Sequence, residues 1–509
     1  HGRVAAQPLD GEQVQIEIMD VVNEARRQGL GSPLLLRFQD ILRSRVQRIN
    51  RAFNDAIRDA RYTNVYRGVY PIKVNQLREV VEEVLDAGKP FNMGLECGSK
   101  AELIAALPHL VDDDMPLICN GVKDRHMLSL ILSAQRLGKN VIPVMEKFAE
   151  FEELMRLADE KEQATQFGVR IRLRTSGSGK WADSGGYRSK FGVSLPELME
   201  MVERLRASGR SKEFCLLHFH LGSQISDVQI LRQATKEIAQ IYAELYTLGL
   251  PVRYVDVGGG LGVDYSADND EGAIHYSLQE YANAVVSTLA ETCNQRKVPH
   301  PVLVSESGRA VTAHHSVLVV ETLGAYQKNN IPDDYEPPAN VHETVKRLAD
   351  MHNSLRDGDG VRDVSELLEA FHTLDTVHEE AATLFRLGYL PLEQDALIER
   401  LYWSICSLIL RRLRQADPDP LPPEVSELEE KLVDQYLCDF SVFQSVIDHW
   451  AIGQAFPIMP LERLTEEPTR RALLVDLTCD SDGKISEYVS SNDDKSFLQL
   501  HNLVAGEPY

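Results

Sequence analysis

The sequence predicts an α/β protein in which a (β/α)8 barrel is followed by a β-domain, and a helical insertion interrupts that β-domain. Two observations predict this. Between Val69 and Glu306, eight short apolar runs alternate with amphipathic helical segments. Beyond residue 316, strand-like stretches stand on both sides of a long helical tract. A doubly wound open sheet is the alternative for the first part, because periodicity alone does not close a barrel.

Bulk properties bound the possibilities. A chain of 509 residues is too long for one ordinary core. With 43% hydrophobic and 26% charged residues it has the composition of a globular protein. No run of about 18 apolar residues encodes a membrane span. The net charge of −23 argues against nucleic acid and anionic membrane, and favours cationic ligands. Seven dispersed cysteines without a C-x-x-C pair point to reduced thiols and the cytoplasm, with the periplasm left open.

The elements follow in order. Residues 1–33 open with "HGRVAAQPLDGE", which has no apolar signal core and begins with His1, as a piece of a longer protein would. This segment is expected to associate with the β-domain. The barrel is expected over 34–315. Within 34–61, Phe38, Ile41, Leu42, Val46, Ile49, Phe53 and Ile57 recur at helical spacing. The eight strand runs are "VYPIKVN", "FNMGLEC", "PLICNGV", "NVIPVME", "FGVRIRL", "FCLLHFHL", "VRYVDVG" and "PVLVSE". Residues 316–340 read as a strand, "SVLVVETLGAYQ", and a polar linker. Residues 341–437 read as the helical insertion, and 438–509 as the rest of the β-domain.

In such barrels the working residues sit at the C-terminal ends of the strands. Here those ends carry Lys73, Glu96, Asn120, His220 with Ser223, Asp256 with Gly258, Gly259 and Gly260, and Glu306 with Gly308 and Arg309. Lys73 is read in the middle of a strand, where burying its ammonium costs several kcal/mol unless it is paired or neutral. Taken singly, it could be a lysine snorkelling from a strand end. Taken together, the set suits pyridoxal phosphate, which needs an amine for its aldehyde, a phosphate cradle and a carboxylate for its ring nitrogen.

The motifs "YPIKVNQ", "GSGKW" (177–181), "SKFG" (189–192), "LLHFHLGSQ", "VDVGGGLGVDY", "ESGRAVTAHH", "FSVFQS" (440–445) and "LTCDSDG" (477–483) carry a resemblance. The chain resembles the biosynthetic arginine decarboxylases, whose fold type is shared with alanine racemase and eukaryotic ornithine decarboxylase. The resemblance implies a pyridoxal phosphate barrel and an alanine-racemase-like β-domain with a helical-bundle insertion. It implies that Lys73 bonds the cofactor covalently, that His220 stacks on its ring, and that Ser223, Gly258 to Gly260, Gly308 and Arg309 hold its phosphate. Glu306 then pairs with the ring nitrogen and Glu96 lies near the reacting carbon. Cys479 is the proton donor. Asp480 and Asp482, with Asp256, Leu261, Gly262, Val263 and Asp264, are expected at the substrate; for Asp482 a plain turn is the equal alternative.

The implied reaction is decarboxylation of L-arginine to agmatine in polyamine biosynthesis, by a homodimer or higher homo-oligomer whose sites are shared between subunits. Mg2+ is implied by the family, with no site identifiable in the sequence. Decarboxylation of diaminopimelate, ornithine or lysine is the alternative, and after it a non-catalytic homologue that binds partners. Relatives continue past Tyr509 with a strand whose tyrosine touches the cofactor phosphate, so the chain reads as truncated at its C-terminus. The "GAYQ" at 324–327 is a different segment.

Overall fold

The computed structural model describes residues 2–9, 14–112, 114–175, 189, 191–265, 274–328, 336–357, 363–416, 420, 422–489 and 496–509. The "GSGKW" motif lies outside them. The chain divides into two compact units, one of His1–Val4, Val22–Leu34 and Val319–Tyr509, the other of Ala5–Val21 and Leu35–Leu318.

In the second of these, short strands β1 (Ala5–Ala6) and β2 (Ile16–Glu17) pair antiparallel. Residues 5–21 thus fall in the barrel unit, which corrects the expectation that all of residues 1–33 go with the β-domain. Strand β3 (Leu34–Arg37) precedes a long helix, Gln39–Asp59. That helix buries Leu42, Val46, Ile49 and Phe53, the apolar face seen in the sequence.

Eight strands then form the barrel: β4 (Tyr66–Pro71), β5 (Gly94–Cys97), β6 (Leu117–Cys119), β7 (Val141–Met145), β8 (Phe167–Arg170), β9 (Phe214–His218), β10 (Tyr254–Asp256) and β11 (Val302–Ser305). Each pairs in parallel with the next, and β11 pairs with β4, so the ring closes and the open sheet is excluded. Side-chain oxygens cap several of the connecting helices at their first turn. Asp124 accepts from Met127 N, and Ser194 and Ser277 form reciprocal boxes with Glu197 and Glu280.

Strand β4 stops at Pro71, and Ile72–Val74 form a single 3-10 turn. Lys73 is therefore not in the middle of a strand. Proline has no N–H to continue the ladder, and the Tyr70 hydroxyl donates to Asn75 O at 3.0 Å across the turn.

Strand β12 (Ser316–Val319) pairs with β3; in the other unit, β13 (Thr322–Tyr326), β14 (Asp434–Cys438), β15 (Arg470–Val475), β16 (Lys484–Ile485) and β17 (Leu498–Leu500) form one sheet. Helices Glu343–Asp357, Val364–Arg386, Leu392–Ala416 and Pro423–Leu432 lie in sequence between β13 and β14. They share a core that includes Leu348, Phe371, Leu374, Leu401, Ile405 and Leu428. Asp434 to Leu437, placed in the insertion by the sequence reading, belong to the sheet. Their burial alternates, with Asp434 and Tyr436 in and Gln435 and Leu437 out, as a half-buried strand requires.

Candidate active site at the barrel rim

The pleat of the strands decides which side chains enter the barrel. Leu95 and Cys97, Leu117 and Cys119, Met145, Val169, Leu217 and Val255 all belong to the core packed outward against the helices. Their neighbours along each strand must point the other way. Glu96, Asn120, Glu146, Arg170, His218, Asp256 and Glu306 therefore form an inward polar set at the C-terminal rim, and all are buried. Apolar Val69, Ile118, Ile142, Val144 and Val304 form a separate cluster from the outer core.

This set is rich in acid. Asn120 Nδ2 donates to Glu96 Oε1 at 3.1 Å and to Glu306 Oε1 at 2.6 Å. His218 Nδ1 lies 3.0 Å from Asp256 Oδ2, out of line for a hydrogen bond, and 3.9 Å from Glu306 Oε1. Burial is the main cause that pushes Glu96, Asp256 and Glu306 each up to about 7, and their mutual repulsion adds to it. Burial also holds His218 below its ordinary value, so this imidazole is no strong counter-charge. Arg170 pairs with Glu146 at 3.3 Å and lies 4.7 Å from the centre of the Phe191 ring, in the "SKFG" motif.

Lys73 stands over this cluster. Its Nζ is 4.0 Å from Glu96 Oε2, its side chain is 60% exposed, and Glu96 raises its pKa. The ammonium is thus neither dry nor unpaired, which resolves the burial cost expected from a mid-strand position. Gly308 keeps the turn in place, since a Cβ there would lie 2.6 Å from Val74 Cγ2 and 2.7 Å from Pro71 Cγ.

The glycine loop after β10 is packed as well as open. The Gly258 N–H donates to Asp256 Oδ1 at 2.9 Å and the Gly259 N–H to His220 Nδ1 at 3.1 Å. Two of the three amides expected to cradle phosphate are therefore committed, and Gly260, at φ +96°, keeps its N–H for a ligand. The bond to Nδ1 leaves the proton of His220 on Nε2, and burial lowers its pKa well below the usual range, so the ring is neutral. Arg309 donates from Nε to Ser223 Oγ at 3.2 Å and from Nη1 to the Tyr265 hydroxyl at 3.3 Å.

Other expected substrate residues fall differently. Asp256 is built into the acid cluster. Leu261 and Val263 are buried in the core, and Gln224 bonds both the N–H and the carbonyl of Val263 at 2.8 Å. The Gly262 N–H donates to the Tyr276 hydroxyl at 3.0 Å, which fixes the shape of this loop. Asp264 is exposed.

In the other unit, Cys479, Asp480 and Asp482 lie together and exposed between β15 and β16. Asp480 Oδ1 accepts from the Asp482 N–H at 3.0 Å, which makes "DSDG" a turn. Buried Asp476 anchors it, accepting from Thr478 N at 2.9 Å and from Val442 N at 2.8 Å, in the "FSVFQS" segment.

Comparison with known proteins agrees with this geometry. The family described as pyridoxal-dependent decarboxylase, pyridoxal binding domain, matches residues 44–313, and the arginine decarboxylase helical bundle domain matches 338–428. A biosynthetic arginine decarboxylase of Gloeobacter violaceus is 44% identical over 511 residues, covering 100% of this chain and 78% of that protein. The chain belongs to the biosynthetic arginine decarboxylase family. Another member of the family, from Bacteroides thetaiotaomicron, is 42% identical over 100% of this chain and 80% of its own. The crystal structure of the Campylobacter jejuni biosynthetic arginine decarboxylase superposes with a TM-score of 0.81 at 34% identity, covering 100% of this chain and 80% of that one.

The family's cofactor, pyridoxal phosphate, fits the rim. Glu96 Oε2 and Asp256 Oδ2 are buried without a hydrogen-bond partner, in an acid cluster that a cationic ring nitrogen would neutralise. Mg2+ does not fit there. His218, Asp256 and Glu306 are the grouping with metal-like spacing among the described residues, but it is dry, includes a nitrogen, and has Glu306 Oε1 occupied by Asn120. Magnesium takes octahedral oxygen and keeps water. The sequence reading left Glu146, Arg170 and Tyr265 without roles. Arg170 and Glu146 stood inside the quoted strands "FGVRIRL" and "NVIPVME", where a charge in an apolar run is the signal that could have found them.

Proposed function

We propose that the chain decarboxylates L-arginine to agmatine and carbon dioxide, with pyridoxal phosphate held at the barrel rim, in polyamine biosynthesis. The observation that carries this is the meeting of Lys73, the buried acid cluster and the Arg309–Ser223 pair on one rim, in a chain with the arginine decarboxylase helical bundle.

Lys73 supplies the amine that bonds the cofactor aldehyde. Arg309, Ser223, Tyr265 and the Gly260 N–H hold its phosphate, and neutral His220 offers a flat ring to its face. When bound, the pyridinium ring takes up the electron pair left on the substrate by loss of carbon dioxide. Glu306 faces the ring nitrogen and holds a proton there, because a neighbouring carboxylate favours the charged form. Cys479 delivers a proton to the substrate Cα as general acid. Asp480 and Asp482 are acceptors for a planar guanidinium. We place Mg2+ in none of these steps.

The active unit is a homo-oligomer in which Cys479 serves a neighbour's barrel. Supporting this, the unit that carries the β-domain exposes Leu477 on the hairpin, at 56%, and Ile447 and Trp450 on the helix Ile447–Ile452. The cytoplasm is the compartment that suits seven free cysteines. No helix among the described residues is long and apolar enough to cross a membrane.

The test is carbon dioxide release from a panel of arginine, ornithine, lysine and diaminopimelate, with the visible cofactor band recorded on the same protein. Release from arginine above the others is expected. Preference for another amino acid replaces the substrate, and a normal cofactor band without release from any replaces the enzyme with a binding protein.

A further inference from the structure

Asn120 joins two parts of the site that have separate tasks. Its backbone is pinned on both sides: its N–H donates to Cys97 O at 2.8 Å, and Gly121 follows at φ +70°, where a Cβ would strike Gly98 O. The side chain is buried and cannot swing away. From that position one nitrogen, with two hydrogens, reaches Glu96 Oε1 and Glu306 Oε1.

The amide presents its donors to both carboxyls. A carboxyl oxygen accepts from an amide N–H in either protonation state, and the bond is stronger to the ionised one. With Oδ1 turned inward, both acids would have to be protonated. Oδ1 is instead buried without a partner, and the two bonds made by Nδ2 offset that cost.

We propose that Asn120 is a positioning residue that couples the carboxyl at the ring nitrogen, Glu306, to the carboxyl at Lys73, Glu96, and favours the ionised form of each. This rests on the rim being the cofactor site. The other charged or titratable groups facing the pair are Lys73 on the turn after β4, Glu102 on the helix Lys100–Ala106, Arg170 on β8, His218 on β9 and Asp256 on β10. Of these only Lys73 and Arg170 bring full positive charge. Without the amide, two acids in a dry site would share one proton.

Asn120→Ala and the near-isosteric Asn120→Asp, loaded with pyridoxal phosphate, test the idea, and Asn120→Ala is repeated in a Glu96→Gln background. For Asn120→Ala, kcat should fall about 10- to 100-fold with little change in KM, and the acid limb of its pH profile should rise by about one unit. Asn120→Asp should fall further, because it places a third carboxyl where the donors stood. With Glu96 already neutral, loss of Asn120 should cost far less. Infrared titration of the cofactor-free protein supplies an independent readout: the protonated-carboxyl band should persist about one pH unit higher in Asn120→Ala. An unmoved acid limb and infrared band, with equal kcat losses in both backgrounds, would show that Asn120 only fills space. If wild type releases no carbon dioxide while the infrared band still shifts, the coupling stands and the enzymatic reading fails.

Discussion

At the barrel rim, Glu96, Asn120, Asp256 and Glu306 are buried; Asn120 joins Glu96 to Glu306, and Asp256 accepts from the Gly258 N–H, all within their own unit. On the turn between β15 and β16, Cys479, Asp480 and Asp482 are exposed, and Asp480 bonds the backbone of Asp482. The rim is preorganised, so its acids keep fixed places and shifted proton affinities before any ligand arrives. The turn is fixed in its backbone while its side chains wait for whatever covers them. One region should respond strongly to the loss of a single charge, and the other to the loss of its cover.

The largest expected effect breaks both regions at once. Lys73→Ala should lower carbon dioxide release on the order of 10⁴-fold and abolish borohydride fixation of cofactor to protein. Fixation at another lysine would remove Lys73 from its role. Cys479→Ala should also be nearly inactive. If the turn serves a neighbour's barrel, mixing the two inactive variants restores about one quarter of wild-type activity, through one intact site in each mixed dimer. No recovery, with subunit exchange verified by mass, would mean that each chain builds its own site.

A smaller effect sharpens the rim alone. Glu306→Gln should retain cofactor but lose on the order of 10²-fold in turnover, about 2.7 kcal/mol. Unchanged turnover would free Glu306 from the mechanism.

The smallest concerns pH and the cofactor-free protein. Glu96, Asp256 and Glu306 are raised to about 7 in the fold, above their unfolded values near 4. Between those limits the folded state binds more protons than the unfolded chain, so stability falls as pH rises. The melting temperature should drop by roughly a few degrees from about pH 5 to pH 7.5 and level above it. Glu306→Gln should flatten that slope, and a slope of opposite sign would contradict the buried acid cluster.

The eight barrel strands were legible because parallel strands buried on both faces leave short continuous apolar runs. The strand ends were legible to within a few residues, and that margin mattered at Lys73, where Pro71 had already ended the ladder. Glu96, His220, Asp256 and Glu306 could be placed at the rim. Their partners could not, because which inward groups face each other depends on strand register and ring closure. Asn120 stood at a strand end in the sequence, yet its two bonds span residues far apart in the chain. The packing of the loop from Leu261 to Val263 was not legible for a different reason. It adjoins the glycines in sequence, but its side chains face the core.

The insertion between β13 and β14 has a consequence for how the β-domain forms. Tyr326 pairs with Gln435 across the two strands, so the ends of the inserted tract meet as neighbours in one ladder. Bringing those ends together through a disordered chain of about a hundred residues would carry a large closure entropy. Helices form from local contacts and on faster timescales than distant strand pairing. The bundle therefore acts as a clasp that brings β14 to β13, and β15, which leads into the turn bearing Cys479, pairs on that same β14.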